Sequence, residues 1–218
     1  MFRKLLTLSI LIAPSLAFAS LTELDVTDIM QNLRKILNPM MVLLLTASFL
    51  SGILFLLRGF LMLKAFAMPL TQASKPGEIA GPLVYIFVGT VLIYIPSSTD
   101  VLSNTLFGSN VDSIFSNSGN SYSVNLQNMG KASDQILGYA PVSVEGQWAA
   151  LIDTIVLYMQ FIGFLAFMRG WFIVAESGQP GTQPGSISKG VIHIVGGLLA
   201  INFLPLVNAV HNTIVGTG

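Results

Sequence analysis

Cysteine is absent from this 218-residue chain. That excludes disulfides, thiolate metal sites, cysteine nucleophiles and lipidation of an N-terminal cysteine. Charge is almost as scarce, with 9% of residues charged where a soluble domain carries about 25%. The chain cannot cover a water-facing surface, and its mean hydropathy of +0.74 reads as a membrane protein. Ten basic residues balance ten acidic ones, so net charge offers no case for nucleic acid. Catalytic signatures are missing too: there is no H-E-x-x-H, no G-x-x-x-x-G-K-[ST] and no G-x-S-x-G. Ser186 and Lys189 give an isolated S-x-x-K in a Gly- and Pro-rich turn, and His193 and His211 have no carboxylate nearby in sequence. The expectation is a non-enzyme without cofactor, metal or catalytic residue.

What is present is long apolar runs. The first, at the N-terminus, differs from the rest. Arg3 and Lys4 precede the short run LLTLSILIA, and Ala17-Phe18-Ala19 fits the A-x-A cleavage pattern. Residues 1–19 are therefore expected to be a cleaved signal peptide. Over 20–38, Val26, Ile29, Met30, Leu33, Ile36 and Leu37 recur at helical spacing, which predicts an amphipathic helix at the membrane surface or against a partner. No charge lies between Lys35 and Arg58, nor between Glu78 and Asp100, nor after Lys189. With the run from about Ala149 to Val174, this predicts four membrane spans.

The connections orient them. Arg58, Lys64, Lys75, Arg169 and Lys189 flank the turns after the first and third spans, whereas residues 97–153 hold one base, Lys131, against five acids. The positive-inside rule places the short turns in the cytoplasm and the long loop outside. A cleaved signal peptide places both mature termini outside as well, and four spans satisfy that parity. The loop is rich in Ser and Asn, with Leu102, Leu106, Phe107, Ile114 and Phe115 as hydrophobics that could dock.

The two halves resemble each other. At an offset of 111, Gly52 matches Gly163, Arg58 matches Arg169 and Gly59 matches Gly170. The turn residues follow: Pro69 with Pro180, Thr71 with Thr182, Gln72 with Gln183. After a two-residue gap, Gly81 and Pro96 match Gly190 and Pro205. The expected fold is all-α: four transmembrane helices as two tandem, parallel-repeat helical hairpins, preceded by the signal peptide and the amphipathic helix. The boundaries are 39–100 for the first hairpin, 101–148 for the loop and 149–218 for the second hairpin.

Gly52 and Gly59 fall on one helix face, as do Gly163 and Gly170; Ser48 with Gly52 and Gly196 with Ala200 are further small-xxx-small pairs. Small residues let helices approach closely in lipid. Three roles are open for Arg58 and Arg169: a snorkelling anchor at the cytoplasmic interface, an ion pair with Glu78 or Glu176, or a part in permeation. The Pro-x-Thr-Gln turns suit turn chemistry or a docking surface.

Residues 50–100 also carry a likeness. Gly52, Lys64, Pro69, Thr71, Gln72, Gly81, Pro82, Tyr94 and Pro96 stand where the small inner-membrane proteins of Dot/Icm type IVB secretion systems have corresponding residues. The chain resembles the IcmC/DotE or DotV-like members of that group, which are related to IncI conjugation transfer proteins. In the second hairpin Ala175 and Val191 depart from the pattern. The resemblance implies a non-enzymatic inner-membrane subunit, contributing to assembly or channel for effector protein export. Its partners would be other inner-membrane secretion-system subunits and the lipid bilayer, in a hetero- or homo-oligomer, with no direct nucleic acid contact. The competing expectation is a stand-alone small transporter or channel subunit.

Overall fold

A computed structural model describes residues 26–67, 79–108, 115–118, 121–124, 147–179 and 186–216. The signal-peptide segment 1–19, Glu78, and the turn residues Pro69, Thr71, Gln72, Pro180, Thr182 and Gln183 lie outside them. Among the described residues the chain is predominantly helical: α1 (Val26–Ala67), α2 (Ala80–Ile93), α3 (Ile95–Phe107), α4 (Gln147–Ser177), α5 (Ser186–Ile201) and α6 (Phe203–Val215). A two-stranded antiparallel hairpin, β1 (Phe115–Ser118) and β2 (Ser121–Val124), pairs Phe115 with Val124 and Ser118 with Ser121.

The expected amphipathic helix at 20–38 is not a separate element. Residues from Val26 run on as the first turns of α1, whose 42 residues contain Pro39. Proline removes one helical hydrogen bond and ordinarily breaks or kinks a helix. Here Leu37 and Met41, on either side of it, are both buried in the core, and that packing holds the two flanks in one helix. At 1.5 Å per residue α1 is about 63 Å long, twice the hydrocarbon thickness of a bilayer and longer than a single crossing requires.

The second helix of each hairpin is broken. α2 ends at Tyr94 (φ −102°, ψ 36°) and α5 at Asn202 (φ −98°, ψ 42°). From these points α3 leaves α2 at 93° and α6 leaves α5 at 81°. α2 and α5 have 14 and 16 residues, short of the roughly twenty needed to cross. Two helices, α1 and α4, are long and apolar enough to span, or four spans form if each bent pair counts as one. The expectation of four spans is thus matched by two unbroken helices, and by four only if each bent pair is one span. It missed the breaks because the apolar runs continue through Tyr94 and Asn202.

α4 is the centre. The ring pairs Phe55–Phe172 and Phe87–Trp171 join it to α1 and α2, at centroid separations of 5.7 and 5.8 Å. Its opposite side packs on α5. Arg34 lies 4.0 Å from Asp153 near the start of both long helices, and Phe55 meets Phe172 further along both, so α1 and α4 run parallel. Within the loop, Phe115 is buried against Phe164 and Leu102 packs on the same core. Leu106 is exposed, and Ile114 lies outside the described residues.

Candidate functional site

Two glycine seams bind the hairpins. A Cβ at Gly52 would stand 2.8 Å from the Gly89 carbonyl oxygen and 2.9 Å from the Ile93 nitrogen. One at Gly59 would meet the Ile86 side chain at 2.7 Å. In the second half Gly163 lies against Gly197, Ala200 and Ile201, and Gly170 against Gly190 and Ile194, with the same closeness. All four seam glycines expected from the sequence therefore do lie at helix contacts, with α1 antiparallel to α2 and α4 antiparallel to α5. The opposing members Gly89 and Gly197 were not singled out in the sequence reading, and Gly190 was named only as a repeat match to Gly81. Gly196, which was singled out, faces open space. The contacts also shift the expected alignment of the second helices by one residue. Pro82 faces Gly59 as Gly190 faces Gly170, an offset of 108, so Gly81 is not the counterpart of Gly190.

Each helix break has a polar plug. In a helix the nitrogen of residue i+4 donates to carbonyl i. Proline has no N–H, so Pro96 leaves the Leu92 carbonyl without its donor and Pro205 does the same to Ile201. The long helix beside each break supplies a replacement. Ser48 Oγ donates to the Leu92 oxygen at 2.8 Å, and Gln160 Nε2 donates to the Ile201 oxygen at 3.1 Å. Both side chains are buried. An orphan carbonyl in an apolar interior costs on the order of 1–3 kcal/mol, which is the reason a polar residue stands there. Asn202, the break residue itself, donates from Nδ2 to Ser103 Oγ at 2.7 Å and to the Leu198 oxygen at 2.9 Å. It thereby ties the second break to α3 of the first half.

The arginines take less central places. Arg58 is exposed, with its guanidinium carbon 5.3 Å from the centroid of the buried Tyr85 ring. Arg169 is also exposed, and Glu176 lies two helical turns beyond it. The arginine ion pair seen among the described residues is a different one, Arg34 with Asp153, which the sequence expectation for Arg58 and Arg169 did not include. Sequence reasoning missed Gln160, Ser103 and Asn202. The available signal was a polar residue inside an apolar run, with a proline two or three residues past each break.

Comparison with protein-family models, with curated proteins and with solved structures finds no match to this chain.

Proposed function

We propose that the chain is a non-enzymatic, multi-pass membrane subunit whose task is helix packing within a larger assembly. On this reading it is a tandem pair of parallel hairpins, α1–α3 and α4–α6, held in a bacterial inner membrane with the short turns in the cytoplasm and the 101–148 loop in the periplasm. The observation that carries the proposal is how the buried polar groups are used. Ser48, Gln160 and Asn202 donate to the chain's own carbonyl and hydroxyl oxygens, while α1 leaves Leu43, Leu50, Leu54 and Leu61 exposed. Such a molecule spends its polarity on its own shape and presents apolar helix faces to its surroundings. The likeness to small Dot/Icm inner-membrane proteins makes a type IVB secretion apparatus the proposed assembly, with cytoplasmic ATPases supplying energy.

The second reading, a stand-alone transporter or channel subunit, gains from the two broken helices, because transporters bind ions at such breaks. Against it, the Leu92 and Ile201 carbonyls that the breaks free already accept hydrogen bonds from Ser48 and Gln160. The deciding experiment is affinity purification of a C-terminally tagged copy from its native bacterium in mild detergent, followed by mass spectrometry. Co-purifying secretion-system membrane proteins support the assembly reading. Their absence, with solute flux after reconstitution, replaces it by the transporter.

A further inference from the structure

The contact between the two halves is head-to-tail. Under the offsets of 111 for the long helices and 108 for the second helices, Phe55 corresponds to Ala166 and Phe172 to Leu61. A two-fold arrangement would repeat the Phe55–Phe172 contact as Ala166–Leu61, yet Leu61 is 67% exposed. α1 and α2 of the first half therefore cover α4, while the matching surfaces of the opposite halves stay open.

At several positions those open surfaces carry the exposed counterparts of buried residues. Phe161, Met168 and Trp171 on α4 are at most 9% exposed; their counterparts on α1, Leu50, Leu57 and Phe60, are 55–57% exposed. On the other side, Val84 of α2 is half-buried and touches the Gly178 site, whereas its counterpart Ile192 on α5 is 69% exposed. The same holds along the long helices: Leu44 packs on the core and Ile155 does not. A groove of about 250 Å³ beside the first break, lined by Val42, Thr46 and Phe49 among others, lies on the same open side. In the second half the counterparts of those three, Asp153, Leu157 and Gln160, are buried.

We infer that the open face of α1 is covered by the α4–α5 face of a second copy of this chain, repeating between molecules the contact made inside each. The inference rests on the tandem-hairpin reading given above. Heterologous contacts of this kind close into rings or run on as filaments. Because α1 and α4 are parallel, every added copy keeps the same orientation in the bilayer, so the arrangement extends laterally without inverting a subunit. Phe60 and Val195 are the intermolecular counterparts of Trp171 and Phe87.

The absence of cysteine makes the test direct. Phe60→Cys with Val195→Cys in one chain, treated in native membranes with a short bismaleimide, is expected to give a ladder of dimers, trimers and larger species. Co-expressed single variants give dimers only, and neither single variant alone cross-links. Both positions are exposed, so the substitutions leave folding intact. The in-chain control is Phe87→Cys with Trp171→Cys, read as a cross-linked peptide by mass spectrometry. Control linkage without a ladder overturns the inference and leaves lipid as the cover. Self-linkage of Phe60→Cys, or linkage of Val195→Cys to a different protein, also overturns it. Loss of both the ladder and the control overturns the hairpin packing itself.

Discussion

The side-chain amide of Gln160 occupies the place of a hydrogen that Pro205 does not have, donating to the Ile201 carbonyl at 3.1 Å. The donor sits on one helix and the defect it corrects on another, so the two positions are energetically coupled. Gln160→Leu is expected to destabilise the protein by about 1–2 kcal/mol, the range for losing a hydrogen bond to a buried carbonyl in a membrane bundle. Pro205→Ala restores a backbone N–H at that carbonyl. The double variant should therefore lose less than the sum of the two single losses. Thermal unfolding of all four proteins in one detergent measures this coupling, and strictly additive losses would refute the plug.

Gly196 and Gly197 are adjacent but opposite in consequence. A Cβ at Gly197 would lie 2.5 Å from the Phe167 nitrogen and 2.6 Å from the Gly163 oxygen, both backbone atoms that cannot rotate away; at Gly196 it meets nothing within 4 Å. Gly197→Ala is expected to destabilise by about 1–3 kcal/mol through forced separation of α4 and α5. Gly196→Ala should be neutral, or stabilising by up to ~1 kcal/mol from helix propensity. Equal effects in a parallel melting series would place the seam on the wrong face.

This pair also marks where the sequence stops being legible. The seven-residue spacing of Gly52 with Gly59, and of Gly163 with Gly170, was enough to place both seams on the long helices, because a period of 3.6 brings i and i+7 to one face. On α5 the seam glycines Gly190 and Gly197 have the same spacing, but Gly196 stands beside Gly197 and only three-dimensional contact tells those two apart; on α2, Gly89 is the one glycine that meets the seam. Hydropathy likewise located all four apolar runs but not the turns at Tyr94 and Asn202, since a side chain from another helix satisfies the broken backbone there. Proline was the visible cue, and it misled at Pro39, where core packing on both flanks overrides it. Hydrogen bonds between residues as far apart as Ser103 and Asn202 leave no periodic trace.

Tyr85 separates the arginine's electrostatic contact from packing. Its ring is buried against Phe55 at 5.7 Å and lies under the Arg58 guanidinium. Tyr85→Phe keeps both contacts and should be close to neutral. Tyr85→Ala empties a core position and should lose about 3–5 kcal/mol. Arg58→Ala, whose head group is exposed, should lose only ~0.5–1 kcal/mol, and nothing further when combined with Tyr85→Ala. A double-mutant cycle in detergent reads the interaction; a full additional loss from Arg58→Ala without the ring would assign the arginine to some other contact.

Pro39 decides whether α1 is one helix or two. Were residues 26–38 a separate interfacial helix, proline at the junction would fit the first turn of the membrane span, and replacing it would weaken that start. In a continuous helix the ring removes one backbone hydrogen bond with no compensating role, and its side chain is exposed. Pro39→Ala is therefore expected to raise stability by about 1–2 kcal/mol, the recovered bond and propensity offset by greater freedom of the unfolded chain. The same substitution should leave the Arg34–Asp153 contact in place, because Leu37 and Met41 already fix that segment against the core. Chemical unfolding of the variant, with charge-swapped Arg34→Asp/Asp153→Arg as a check on the register, measures both. A fall in stability on replacing Pro39 would mean that α1 is jointed after all.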